Sequence, residues 1–250
     1  MMPLDDRGLL LGDGLFETIL AKDGTLVLFD EHIDRMQRGC MALGLSAPDL
    51  EDARELCQST LDDSAFRTGR AAVRMTLTAG SGGRGLERPD QPEPHIFASV
   101  AASPRPLGGV ALVTSDLRRN EGSPSARLKT LSYLDNVLAR RMASPAEALL
   151  LNNRGEITCA AAANIFWLRG GKLFTPHRDC GVLDGIMRRQ VMQIAKVEEV
   201  QAPRAMLEGA DAIFLTSSLI GIRTVASLDG TPIRTHRKVE ELAAALEAVS

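Results

Sequence analysis

No stretch of this 250-residue chain is apolar over the roughly 18 residues that a membrane-spanning helix needs, so no membrane partner is expected. Cysteine and histidine are scarce. Cys40, Cys57, Cys159 and Cys180 lie far apart, as do His32, His95, His177 and His236. No CxxC or mixed Cys/His cluster offers zinc-ligand spacing, and no disulfide framework is indicated. A metal site is not expected. Basic residues form no run, and the net charge is −3, which argues against a nucleic-acid partner. The start, Met1 through Pro3-Leu4-Asp5-Asp6-Arg7, lacks the charged head and apolar core of a secretory signal, so the expected compartment is the cytoplasm. Repeats and low-complexity segments are also missing. What is present is ordinary for a soluble globular protein: 44% hydrophobic and 24% charged residues, enough for one large domain or two small ones.

Periodicity gives a mixed α+β pattern. Leu15 to Leu20 and Leu26 to Phe29 read as strands of a hairpin across Lys22-Asp23-Gly24-Thr25. Asp30 is placed to cap a helix from Glu31 to Leu43, with Ile33, Met36, Cys40 and Leu43 on one face. A further helix is predicted over Leu50 to Leu61, and strands over Ala71 to Thr78 and His95 to Ala101. Ser103-Pro104-Arg105-Pro106-Leu107-Gly108-Gly109 reads as a linker. The expected division is a small α+β domain at 1–103, a linker at 104–109 and a larger domain at 110–250. Within the larger domain, strands are predicted at Val110 to Thr114, Ala148 to Leu151, Asn164 to Leu168 and Ala212 to Thr216. Helices are predicted at Ser132 to Met142, Asp184 to Val197 and Arg237 to Val249.

Gly80-Ser81-Gly82-Gly83-Arg84-Gly85 matches G-x-G-x-x-G after a strand. A dinucleotide site also needs a helix to begin there. The chain instead continues Leu86-Glu87-Arg88-Pro89-Asp90-Gln91-Pro92, which cannot be a regular helix. The segment is a flexible loop or an active-site loop in which Arg84 hooks an anion; a guanidinium grips a carboxylate in a bidentate fork. Lys129, in Arg127-Leu128-Lys129-Thr130-Leu131-Ser132-Tyr133-Leu134, reads by itself as a surface charge.

The segment Gly155-Glu156-Ile157-Thr158-Cys159-Ala160-Ala161-Ala162-Ala163-Asn164-Ile165-Phe166-Trp167 changes that reading. It is followed by Thr175-Pro176 and by Gly181-Val182-Leu183-Asp184-Gly185-Ile186-Met187-Arg188. Earlier come Asp6-Arg7-Gly8, then Gly12-Asp13-Gly14-Leu15-Phe16-Glu17-Thr18, then Glu31-His32-Ile33-Asp34-Arg35. In this order, from residue 5 to about 225, the motifs resemble the class IV (fold-type IV) pyridoxal-phosphate aminotransferase family. They are most similar to those of 4-amino-4-deoxychorismate lyases and of D-amino-acid and branched-chain aminotransferases. The resemblance implies a two-lobed fold with pyridoxal 5'-phosphate between the lobes, a small-molecule amino substrate and a homodimer. It gives Lys129 the role of the lysine that forms an imine with the cofactor. Arg35 and Ser218 match phosphate ligands. Ile186 and Met187 would offer backbone N–H groups at a helix start, where the dipole favours phosphate. Phe16 and Arg84 lie where relatives contact the substrate. Such relatives usually carry one further strand ahead of Asp6-Arg7-Gly8; here the sequence starts almost at that motif.

One position departs from the family. A glutamate five residues before the Asn-Ile/Leu-Phe signature usually faces the pyridine nitrogen and keeps it protonated. Counting back from Asn164 gives Cys159, a cofactor-facing thiol that cannot hold that proton as well; Glu156 is out of register to replace it. A weak electron sink disfavours transamination and is tolerated best by an elimination whose product becomes aromatic. The leading expectation is 4-amino-4-deoxychorismate lyase, which releases pyruvate and p-aminobenzoate, a folate precursor; such lyases resemble this chain at residues 80–85, 163–167 and 185–188, but usually keep the glutamate, so Cys159 does not single them out. The alternative is an aminotransferase for D-amino or branched-chain amino acids with 2-oxoglutarate. A catalytically impaired cofactor-binding homologue is the minor alternative.

Overall fold

The computed structural model describes residues 2–248 and divides into two compact units. The first comprises residues up to Arg105 together with Leu128–Ser132; the second comprises Pro106–Arg127 and the chain from Tyr133 on. Lys129, which the sequence reading placed in the C-terminal domain, thus packs with the first unit. The reason is local: Phe16 N donates to Lys129 O (2.9 Å) and Leu131 N donates to Gly14 O (3.0 Å).

The first unit opens with helix α1 (Arg7–Leu11), too short to show a period in the sequence. The Asp6 carboxylate caps it by accepting from Leu9 N at 3.1 Å, and Gly12 ends it in the left-handed region. Strand β1 (Gly14–Lys22) turns back into the two-residue β2 (Thr25–Leu26), so the expected hairpin has a much shorter second arm. Phe29 belongs instead to helix α2 (Phe29–Leu43), which buries Ile33, Met36 and Cys40 as its spacing predicts. Asp30 is not its cap: Leu28, at φ 51°, holds that position with no side-chain hydrogen bond. Helix α3 (Leu50–Asp62) is capped by Asp49 and buries Ala53, Cys57 and Leu61. Strands β3 (Arg70–Thr78) and β4 (Ile96–Ala102) complete an antiparallel sheet of order β2-β1-β3-β4. Alternation sends Leu15, Ile19, Val73, Met75 and Leu77 into one core with α2 and α3. Phe16, Thr18, Arg74 and Thr76 are left on the other face, cross-strand pairs in register.

The second unit contains β5 (Val110–Arg119), α4 (Leu134–Ala143), β6 (Glu147–Asn152), β7 (Ile157–Ala160), β8 (Asn164–Arg169) and β9 (Lys172–Pro176). Then come α5 (Ile186–Ile194), β10 (Val197–Val200), β11 (Ala212–Ser217), β12 (Gly221–Leu228), β13 (Thr231–Pro232) and α6 (Arg237–Ala248). Val249, the predicted end of the last helix, lies outside the described residues. The sheet runs β10-β9-β8-β11-β12-β5-β6-β7, with β13 on β12. Parallel neighbours need crossovers: α4 lies between β5 and β6 in the chain, and α5 between β9 and β10. The sheet curls, so that Leu112, Leu149, Ile157, Ile165, Trp167, Ile213 and Val225 share one interior cluster. Helix α5 is shorter than predicted. It begins after Gly185, and Val197 leaves it to pair with Leu173. Among the described residues, no helix is long and apolar enough to cross a membrane. No group of three or more His, Cys, Asp or Glu side chains among them is disposed to hold a metal ion.

Candidate active site

In the first unit, Lys129 and Arg74 converge on Phe16. The Lys129 ammonium lies 4.2 Å from the centroid of the Phe16 ring, and the Arg74 guanidinium carbon lies 3.7 Å from it. A ring face attracts cations through its quadrupole, so the buried Phe16 organises two positive groups on this side of the sheet. Arg74 was not singled out in the sequence. Its only signal there is a charge inside an otherwise apolar strand, and its closeness to Phe16 follows from the pairing of Thr18 with Arg74.

On the opposite face of β1, Glu17 is 1% exposed and accepts from two elements of α2. His32 Nδ1 lies 2.7 Å from Glu17 Oε2; Arg35 donates from Nε to Oε1 at 2.8 Å and from Nη2 to Oε2 at 2.5 Å. Burial alone would raise the Glu17 pKa. The Arg35 charge and the hydrogen bonds from Arg35 and His32 outweigh it and hold the carboxyl at about 2. Burial likewise pushes the His32 imidazole below its ordinary 6.5, against the opposing pull of Glu17. The fork fixes one edge of the Arg35 guanidinium and so the direction of the rest, a geometry suited to a phosphate.

Arg84 sits on the loop between β3 and β4. Its side chain is exposed.

In the second unit, Gly185 caps α5 with no side-chain partner for the amides of Ile186 and Met187. A methyl group on Gly185 would overlap Asn164 Oδ1, so only glycine permits this approach. Asn164 Nδ2 donates to Leu183 O at 3.0 Å and ties the strand β8 to the segment ahead of the helix. Thr216 lies opposite Asn164 on β11, and its hydroxyl is buried with no hydrogen-bond partner. Ser218 follows in the turn. An uncapped helix start, an unsatisfied buried hydroxyl and a nearby serine are the donor set that a phosphate group requires. Thr216 was missed in the sequence, where it is one hydroxyl beside Ser217 and Ser218. Arg188, of the same motif, turns inward to Pro176 O (3.1 Å) and Glu199 and is structural.

Cys159 is 6% exposed. It packs with Ala139, Ala148, Leu150 and Ala161, and the Thr158 hydroxyl lies 3.5 Å from its sulfur. Glu156 does not replace a carboxylate there. It is taken up by Asn152 Nδ2 (2.7 Å), Arg154 Nη2 (2.8 Å) and the Cys180 thiol (3.6 Å).

The amino-transferase class IV family pattern matches residues 14–228. A Methanocaldococcus jannaschii protein provisionally named as a branched-chain-amino-acid aminotransferase is 34% identical over 95% of this chain and 85% of its own length. Aminodeoxychorismate lyase of Bacillus subtilis is 31% identical over 87% of this chain and 78% of its own. The crystal structure of a Legionella pneumophila protein, provisionally named 4-amino-4-deoxychorismate lyase, superposes with a TM-score of 0.94. It is 27% identical, over 100% of this chain and 96% of that one. The family works through pyridoxal phosphate, and the lysine, the phosphate-type donor set and the fold described above all suit that cofactor. The chain belongs to the amino-transferase class IV family and is a pyridoxal-phosphate-dependent enzyme.

Proposed function

We propose that the enzyme is a 4-amino-4-deoxychorismate lyase, with Lys129 as covalent anchor of the cofactor and as its proton carrier. In the second unit, Ser218 and the amides of Ile186 and Met187 are the proposed phosphate donors, assisted by Thr216; in the first unit, Arg35 is the proposed guanidinium ligand. The observation that carries the reading is the neutral, apolar setting of Cys159, the residue proposed to face the ring nitrogen. The cofactor, when bound, supplies the electron sink. A thiol among alanines gives little reason for a positive charge beside it, since an unpaired charge in a dry site is costly. A reaction that avoids a long-lived carbanion suffers least from this. In the elimination, the Lys129 amine takes the proton from the carbon that carries the amino group. The ring carbon–oxygen bond breaks, enolpyruvate leaves with that oxygen and takes a proton at its methylene carbon, replacing the one Lys129 removed, to become pyruvate, and the ring becomes aromatic. Arg84 grips a substrate carboxylate, and Phe16 covers the ring.

A branched-chain or D-amino-acid aminotransferase is the second reading. It is favoured by Arg74, which places a further guanidinium at Phe16 for a dicarboxylate such as 2-oxoglutarate. The discriminating experiment assays the cofactor-loaded enzyme with aminodeoxychorismate, and with leucine or D-alanine plus 2-oxoglutarate. Release of p-aminobenzoate at the higher kcat/KM is expected. Turnover of an amino acid without p-aminobenzoate release would replace the first reading by the second.

A further inference from the structure

The glycine-rich loop is built around a buried guanidinium. Arg7, at the start of α1, is 4% exposed. It donates from Nη1 to Glu87 O (2.8 Å) and from Nη2 to Leu86 O (3.0 Å), with Gly82 O and Gly85 O each 3.4 Å from Nη1. Its Nε donates to Asp13 Oδ2 at 3.0 Å. Asp13 is shared with Arg88, which comes from the loop itself: Nε reaches Oδ2 at 3.0 Å and Nη2 reaches Oδ1 at 2.6 Å. Arg88 Nη1 also donates to Leu43 O at 2.6 Å, pinning the loop to the end of α2. The Arg88 hydrogen bond, with that of Arg7, holds the Asp13 carboxyl below its usual 3.8 against the effect of burial. At Gly83, φ is +81°, and a Cβ would overlap Glu87 O and stand 3.0 Å from Arg7 Nη1. The glycines therefore serve to turn carbonyls inward onto one cation. At the root of the loop, Arg7 N donates to Gly80 O at 2.8 Å.

A loop so rich in glycine would otherwise be a poor platform for a side chain that must grip a carboxylate, because ordering it costs entropy at every residue. The cage removes that cost before substrate arrives, and leaves Arg84 as the exposed side chain between caged carbonyls. We propose that Arg7, ion-paired with Asp13, is a positioning residue for substrate binding: it holds the Gly80–Pro94 loop so that Arg84 meets a substrate carboxylate. This rests on the reading of Arg84 as the carboxylate grip.

The test uses the cofactor-loaded enzyme and three variants. Arg7→Lys keeps the charge but loses the fork. Gly82→Ala strains the loop at φ +91°, where the nearest atom to the new methyl is Pro89 Cγ at 4.0 Å, and serves if Arg7→Lys does not fold. Arg84→Ala removes the grip itself. Hydrogen exchange of the loop amides is read beside KM and kcat for aminodeoxychorismate, or for leucine with 2-oxoglutarate if that is the pair turned over. Arg7→Lys and Gly82→Ala should speed loop exchange and raise KM about tenfold, with kcat within about twofold of wild type. Arg84→Ala should raise KM with loop exchange unchanged. Unchanged loop exchange in Arg7→Lys, or in Gly82→Ala should it stand in, overturns the cage. Faster exchange with unchanged KM, while Arg84→Ala raises KM, overturns the positioning role alone. Unchanged KM in all three variants overturns the Arg84 reading and this inference with it.

Discussion

At the scale of single residues, the proposed chemistry is assigned to Lys129, whose ammonium sits over Phe16. Lys129→Ala should remove the adduct that borohydride traps between cofactor and protein, together with nearly all turnover. Peptide mapping of the reduced wild-type protein checks this, and a label on any other lysine refutes the assignment. Arg35→Ala should weaken pyridoxal phosphate binding by ~2 kcal/mol or more, the scale of a charge-assisted hydrogen bond, as read by fluorescence titration. Two neighbours of Arg35 should contribute to stability in acid. Glu17, held at about 2 against an ordinary 4.5, contributes stability that is complete above 4.5 and is lost as pH falls towards 2. His32 is kept neutral by burial, while the unfolded chain takes up a proton below 6.5; this too costs stability in acid. The urea midpoint should therefore decline from near pH 6.5 downward and steepen below 4.5. A flat profile from pH 6.5 down to about 2 would show that neither Glu17 nor His32 contributes to acid stability.

At the scale of elements, the helix start of α5 invites a direct probe. Gly185→Ala would drive a methyl into Asn164 Oδ1. A loss of folding stability of about 1–3 kcal/mol, the usual cost of overpacking, should accompany weaker pyridoxal phosphate binding. Cofactor affinity equal to wild type would remove that helix start from the phosphate site. The same scale shows what the sequence made legible. Helices α2 and α3 were readable because Ile33, Met36 and Cys40, or Ala53, Cys57 and Leu61, repeat at helical spacing. Strand β12 was not, since Gly221-Ile222-Arg223-Thr224 is half-buried on both sides and shows no alternation. The outer half of β5, Ser115-Asp116-Leu117-Arg118-Arg119, is charged and is a strand through its pairing with β6. For the site, the motif order pointed to Lys129, Arg35 and the α5 start. Arg74 against Phe16 and Arg7 within its carbonyls could not be read, because both depend on cross-strand register and turn geometry.

At the scale of the whole molecule, helix α4 leaves Leu134, Val137 and Met142 exposed on the second unit. Apolar side chains of this kind need an interface only where they form one contiguous patch, and a second copy of the chain is the proposed occupant. Light scattering should give a dimer mass for wild type, and Val137→Glu should shift it towards monomer. A monomeric wild type would leave those side chains without that explanation.

The excursion of Leu128–Ser132 back to the first unit has a consequence for anyone who would divide the gene. A fragment ending at Arg105 looks like a self-sufficient module, yet it would leave the Phe16 amide and the Gly14 carbonyl without the mates that Lys129 and Leu131 supply. The Lys129 amine and the last hydrogen bonds of the strand beneath it are thus carried by five residues encoded well downstream. Recombination that exchanged only the segment up to Arg105 would therefore transfer the Phe16 seat and leave Lys129 behind.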